Sequence, residues 1–204
     1  MSQRNSEYPR RPFDEYITPR WVTDVLCDHL DVTGRKVWEP ACGPGEMVKA
    51  LSARGAHVHS TDIRIDPSQD FLRLTAILLG ARAIITNPPY ELAREFCEHA
   101  LQLMQPVKGA VAMLLRTDFD HAKTRSHLFA DCSAFAQKIV LTKRITWFLD
   151  ANGKAKGSPS FNHAWYIWDH THRGRPTIAY GPVGGRPGER VKREQRQLTA
   201  GALQ

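Results

Sequence analysis

The sequence is short of several things, and each shortage closes off a class of protein. Its 204 residues contain only four cysteines (Cys27, Cys42, Cys97 and Cys132), far apart and with no C-x-x-C pair. They predict reduced thiols in a cytoplasmic protein, with neither a disulfide framework nor a metal site. No apolar run approaches the ~20 residues of a membrane-spanning helix, so no membrane association is expected. The opening stretch "MSQRNSEYPRRPFDEY" has no apolar core behind its charges and does not read as a secretory signal. No internal repeat is visible, and no G-x-G-x-x-G fingerprint occurs, which weighs against a nicotinamide-dependent oxidoreductase. Acidic residues are outnumbered, 21 against 28 Lys and Arg, for a net charge of +7. That balance suits a polyanionic partner without requiring one.

With 42% hydrophobic and 24% charged residues, the chain is globular in composition, and its length suits one domain with a real core. "TPRWVTDVLCDHL" has helical spacing, with Thr18 placed to cap it and Pro19 at its first position. "KVWEP" predicts a strand ending at an acid, and "GEMVKALSARG" a helix. "AHVHSTD" predicts a second strand ending at an acid. "QDFLRLTAILLG", residues 69–80, predicts a helix, "RAIITN" a strand and "ELAREFCEHALQLM" an amphipathic helix. "GAVAMLL" reads as a buried strand, "HAKTRSHLFAD" as weakly helical, and "QKIVLT" and "FNHAWYIW" as strands. Alternating strands and helices predict an α/β fold, a mostly parallel sheet with helices on both faces. Residues 1–12 read as a flexible basic arm, 13–169 as the folded domain, and 170–204, rich in Gly, Pro and Arg, as a mobile basic tail.

Open α/β sheets bind ligands beyond the carboxyl ends of their strands. The first strand ends "EPACGPGE", where Gly43 and Gly45 let the backbone turn tightly and approach a ligand, or simply join strand to helix. The second ends at Asp62, roughly two dozen residues beyond Glu39, the spacing of an acid that accepts from a ribose diol. An Asp capping a turn would look the same. The third ends "NPPY". Two prolines cannot continue a sheet ladder, so the strand must stop at Asn87 and hand over to a rigid loop.

These features in this order resemble the S-adenosylmethionine-dependent methyltransferases that modify exocyclic amino groups, chiefly adenine N6 in DNA. The resemblance implies a Rossmann-like class I methyltransferase fold and S-adenosyl-L-methionine as cofactor. "EPACGPG" (Glu39, Pro40, Ala41, Cys42, Gly43, Gly45) resembles the cofactor loop, with Ala41 where the fuller pattern has Gly. "STD" resembles the ribose acid, Asp62, followed by Ile63. "QDFL" resembles the motif in which Asp70 and Phe71 hold the cofactor adenine, although Asp70 could equally cap its own helix. Tyr16, Thr18 and Pro19 resemble the motif near the methionine end of the cofactor, although Thr18-Pro19 could equally be a plain helix start. "NPPY" (Asn87, Pro88, Pro89, Tyr90) matches the catalytic tetrapeptide. No target-recognition domain follows the last strand, and an accessory recognition subunit would then be the natural partner.

The chemistry explains the tetrapeptide. The amine of adenine is a poor nucleophile because its lone pair is delocalised into the ring. Fixed acceptors, the Asn87 oxygen and the Pro88 carbonyl, can hold both N–H hydrogens out of plane and stabilise the charge that develops on nitrogen. Tyr90 can stack on an extruded base. Lys154, Lys156 and Phe161, in "KRITWFLDANGKAKGSPSFNHAW", are candidates for contacting nucleic acid, DNA ahead of RNA. Ordinary strand packing for Phe161 and a solvated hairpin tip for the lysines are the plainer readings. Related tetrapeptides occur in RNA base and protein-glutamine methyltransferases, and a non-catalytic binding module is a further alternative. His57 and His59 alternate on one strand, but no further ligand is in register for a metal.

Overall fold

The apolar runs without alternation become the central strands, because a strand covered on both faces has no solvent side. The computed structural model describes residues 16–147 and 161–182. Residues 1–15 (with the basic arm 1–12), 148–160 (with Lys154 and Lys156) and 183–204 lie outside the described residues. In chain order, helix α1 (Arg20–Cys27) precedes β1 (Lys36–Glu39), α2 (Glu46–Ala53), β2 (His57–Ser60), β3 (Ala83–Thr86), α3 (Ala93–Met104), β4 (Ala110–Arg116), β5 (Phe135–Leu141), β6 (His163–Asp169) and β7 (Thr177–Gly181). They form one seven-stranded sheet, ordered β2-β1-β3-β4-β6-β5-β7. β2, β1, β3 and β4 run parallel, and β6 is antiparallel to both β4 and β5.

Side chains alternate between two cores. Val37, Ala83, Ile85, Ala112 and Leu114 face α1 and α2. Trp38, Ile84, Val111, Met113 and Leu115 face α3. The indole of Trp165 donates to the Val22 carbonyl at 2.9 Å and ties α1 to the sheet. No helix among the described residues is long and apolar enough to cross a membrane.

Three local expectations are corrected. Residues 69–80 do not form a helix but short 3-10 turns at Pro67–Gln69, Phe71–Arg73 and Leu78–Gly80. Asp66 and Asp70 cap the first two through their carboxylates, and Leu79 adopts φ 48°, which breaks the third. Thr18 does not cap α1. Pro19 holds that position, and the Thr18 hydroxyl is taken by Asn87. The stretch read as a tail from residue 170 adds an edge strand, β7, parallel to β5.

Gly109, where the chain enters β4, is sterically required. A Cβ there would lie 2.9 Å from the Arg82 carbonyl oxygen and 2.6 Å from Met104 Sδ. Gly109→Ala is expected to cost about 1–3 kcal/mol, read as a lower urea midpoint at unchanged slope. An unchanged midpoint would show that the Arg82 backbone gives way freely.

Candidate active site

The strand order reverses at β1, which lies between β2 and β3, and this switch point opens a crevice at the carboxyl ends. A cleft of about 610 Å³ occupies it, within the range of small-molecule sites. Of the residues read from sequence, Tyr16, Thr18, Glu39, Pro40, Ala41, Cys42, Gly43, Asp62, Ile63, Asp70, Phe71, Asn87 and Pro89 line it. Pro19, Gly45, Pro88 and Tyr90 do not. Pro19 starts α1, and Gly45, at φ 83°, supplies the left-handed turn that starts α2.

The two strand-end acids differ in how they are satisfied. Asp62 is fully engaged. Its Oδ2 accepts from the Gly43 N–H at 2.8 Å and its Oδ1 from the Arg64 N–H at 2.9 Å. The Arg64 guanidinium closes on both oxygens, at 3.0 and 3.1 Å. Burial works to raise the Asp62 pKa, but the bonds from Arg64 and Gly43 outweigh it and hold the carboxyl below its ordinary value. Glu39 is 2% exposed, and its Oε2 is buried with no hydrogen-bond partner among the described residues. Burial, then the charge of Asp62, push its pKa well above the ordinary carboxylate range. The two neighbouring acids are thus shifted in opposite directions.

Asn87, just beyond β3, is oriented by its own partners. Its Nδ2 donates to the Tyr16 carbonyl at 3.4 Å and to Thr18 Oγ1 at 3.2 Å. A carbonyl can only accept, so the amide nitrogen faces Tyr16 and the oxygen faces away. That Oδ1 is buried and finds no partner among the described residues. Asp70 caps the Phe71–Arg73 turn through the Leu72 N–H at 3.1 Å. Phe71 packs against Trp38, Phe96 and His99, at centroid distances of 5.2, 4.8 and 4.9 Å.

Beside Asn87 stands an aromatic cluster. Tyr16 packs on Tyr90 at 5.9 Å and on Trp147 at 5.3 Å. His163 meets Trp147 at 5.2 Å and Tyr90 at 5.8 Å. Phe161 lies outside the cleft lining, under the Arg116 guanidinium at 4.2 Å. Lys143 stands 5.4 Å over the Trp21 ring. The sequence reading passed over Arg64, Ile17, Glu91, Leu92 and Trp147 and gave His163 no functional role. Position two after a ribose acid could have pointed to Arg64. The cluster partners are set by tertiary contacts with no local signal. Among the described residues, no group of His, Cys, Asp and Glu could hold a metal ion.

No protein-family model matches this chain, and no curated protein matches it in sequence. Solved structures do match in shape. The type I restriction-modification system methyltransferase subunit from Streptococcus thermophilus superposes with a TM-score of 0.57 at 13% identity, over 91% of this chain and 53% of that one. A Listeria monocytogenes protein described as a class I S-adenosylmethionine-dependent methyltransferase gives 0.56 at 13% identity, over 89% and 70%. A Pyrococcus horikoshii protein described as an RNA methyltransferase gives 0.52 at 15% identity, over 78% and 90%. The chain has the class I methyltransferase fold. It spans about half the length of the type I subunit. Within the class I methyltransferase fold, its cleft lies over β1, β2 and β3 and its aromatic cluster beside the loop that follows β3.

Proposed function

We propose that the chain is an S-adenosylmethionine-dependent N-methyltransferase whose target is the exocyclic N6 amine of adenine in DNA. One observation carries the reading: the Asn87 Oδ1 acceptor is buried, fixed in direction by its own amide contacts, and without a partner among the described residues. A buried unpaired acceptor costs free energy, on the order of 1–3 kcal/mol. A donor arriving with substrate would relieve that cost.

The residues also fit the cofactor. The buried Oε2 of Glu39, unpaired among the described residues, suits an ammonium group, and Ile63, Phe71 and Leu72 offer apolar surface to a flat ring. Asp62 would take the ribose hydroxyls in exchange for the Arg64 guanidinium. When bound, S-adenosylmethionine supplies a methyl group carried on a positively charged sulfur. Asn87 Oδ1 and the Pro88 carbonyl would accept the two amine hydrogens and turn the nitrogen lone pair out of conjugation. The same acceptors would stabilise positive charge developing on that nitrogen. Tyr90 would offer its ring to the base.

The net charge of +7 supports nucleic acid as substrate. The likeness to a type I restriction-modification subunit supports DNA and a separate recognition partner. In this reading Lys154, Lys156 and Phe161 contact the nucleic acid. The test is transfer of label from methyl-labelled S-adenosylmethionine into duplex DNA, RNA and a glutamine-containing peptide in parallel. Label in DNA is the expected result. Label confined to RNA or peptide would keep the mechanism and overturn the substrate, and label nowhere would favour a binding module.

Arg64 provides a check on the cofactor site. Its guanidinium occupies Asp62 oxygens that the ribose would need. Arg64→Ala is therefore expected to tighten S-adenosylhomocysteine binding, on the order of 5-fold, or about 1 kcal/mol. Titration calorimetry reads it, and weakened binding would mean that the guanidinium itself holds the ligand.

A further inference from the structure

We propose that His163 is a positioning residue for Tyr90: its Nε2 accepts the Tyr90 hydroxyl proton and fixes the Tyr90 ring beside Asn87. The inference rests on the reading of Tyr90 as the ring on which a substrate base stacks.

Tyr90 begins the short 3-10 turn Tyr90–Leu92, outside the sheet. Nothing in such a turn fixes the rotation of an aromatic side chain. His163 is the first residue of β6, 2% exposed and paired with Arg116 of β4. It therefore stands where β6 enters the sheet, buried and paired with β4. The Tyr90 hydroxyl lies 3.0 Å from His163 Nε2, and the two rings stack with an interplanar angle of 28°. With the phenol as the donor, Nε2 accepts and the ring's remaining proton sits on Nδ1, which is buried with no hydrogen-bond partner among the described residues. The imidazole is neutral: burial, then the Arg116 charge, push its pKa down to about 4. Trp147 also packs on the imidazole, edge to face at 5.2 Å. Through this bond the Tyr90 ring is tied to the sheet, as Asn87 is through β3. A neutral ring also places no positive charge next to a nitrogen that becomes positive as it is methylated.

The test has two arms on the full chain. The first needs no substrate: side-chain ¹⁵N NMR of His163 in the wild type and in Tyr90→Phe. The Nε2 resonance of a hydrogen-bond acceptor is expected in the wild type, displaced when the hydroxyl is removed. An Nε2 resonance unchanged in Tyr90→Phe would overturn the contact. The second arm measures methylation of an adenine-containing single-stranded oligodeoxynucleotide. Tyr90→Phe and His163→Phe are each expected to raise KM roughly 5- to 10-fold, with S-adenosylhomocysteine affinity unchanged. Their double variant should be no worse than either alone, and His163→Gln, whose amide oxygen can accept the same proton, should recover most of the loss. Additive losses, or a loss in cofactor affinity instead of KM, would overturn the positioning role. Should His163→Phe fail to fold, Tyr90→Phe and His163→Gln carry the comparison. If the wild type methylates no nucleic acid, the proposed function fails, and the NMR arm alone decides whether Tyr90 and His163 are bonded.

Discussion

Replacing Asn87 by alanine is expected to lower kcat for methyl transfer by about 1,000-fold, as for removal of a preorganised group aimed at developing charge. The loss falls on kcat because the acceptor matters most when the amine turns pyramidal and gains charge. A smaller loss, roughly 3-fold, is expected in cofactor affinity, since the amide also ties Tyr16 and Thr18 across the cleft through bonds of about ordinary strength. Asn87→Asp separates the two roles. It keeps an acceptor where Oδ1 stands but turns a carboxylate oxygen towards the Tyr16 carbonyl. It should retain more activity than Asn87→Ala while loosening the Tyr16–Thr18 segment by a similar amount. Single-turnover rates at saturating cofactor, beside S-adenosylhomocysteine titrations, read both effects.

The second large effect is at Glu39. Glu39→Gln should weaken S-adenosylhomocysteine binding by about 100-fold, because a buried ammonium would lose its charged partner. The same change should stabilise the ligand-free protein at neutral pH. Glu39 in the folded chain keeps its proton well above the ordinary range, because it is buried beside the charge of Asp62. In the unfolded chain it ionises near ~4.3. Between these values the unfolded state has shed a proton that the folded state retains, so ligand-free stability falls as pH rises through the window, at up to about 1.4 kcal/mol per unit. Glutamine carries no such slope. Thermal unfolding across pH, with and without S-adenosylhomocysteine, should show a flatter, higher curve for the variant alone and little gain from ligand. A variant that gained as much from ligand as the wild type would remove Glu39 from the site.

The parts of this fold readable from sequence are those set by neighbours along the chain. "RAIITN" had to be a buried strand, and the Pro-Pro pair had to end it, so the loop carrying Asn87 was locatable to the residue. The acids at 39 and 62 were legible for the same reason, as strand-end groups. Residues 69–80 misled because Phe71, Leu72, Leu74, Ile77 and Leu78 are apolar at near-helical spacing. All five pack on one core, but Asp66 and Asp70 bond the backbone locally and break the segment into turns. The strand Thr177–Gly181 was hidden because an edge strand exposes its side chains. Ile178 and Tyr180 are 65% and 57% exposed, so the segment lacks the apolar density of a core strand. Gly181 is nevertheless locked in, since a Cβ there would lie 2.5 Å from a Val25 methyl. The Tyr90–His163 bond joins positions 73 apart in the chain, and the clamp of Arg64 on Asp62 depends on a rotamer. The first leaves no trace in spacing or composition, and the second shows only as an arginine two positions after the acid.

The measurement that bears most directly on the central claim is identification of the methylated nucleoside. DNA incubated with wild-type protein and with Asn87→Ala, each at a cofactor concentration that saturates it, is digested and resolved by mass spectrometry. N6-methyladenine from the wild type, reduced about 1,000-fold in the variant, is the predicted result. Methylation at a ring nitrogen or carbon, or equal product from both proteins, would contradict a mechanism built on the Asn87 oxygen.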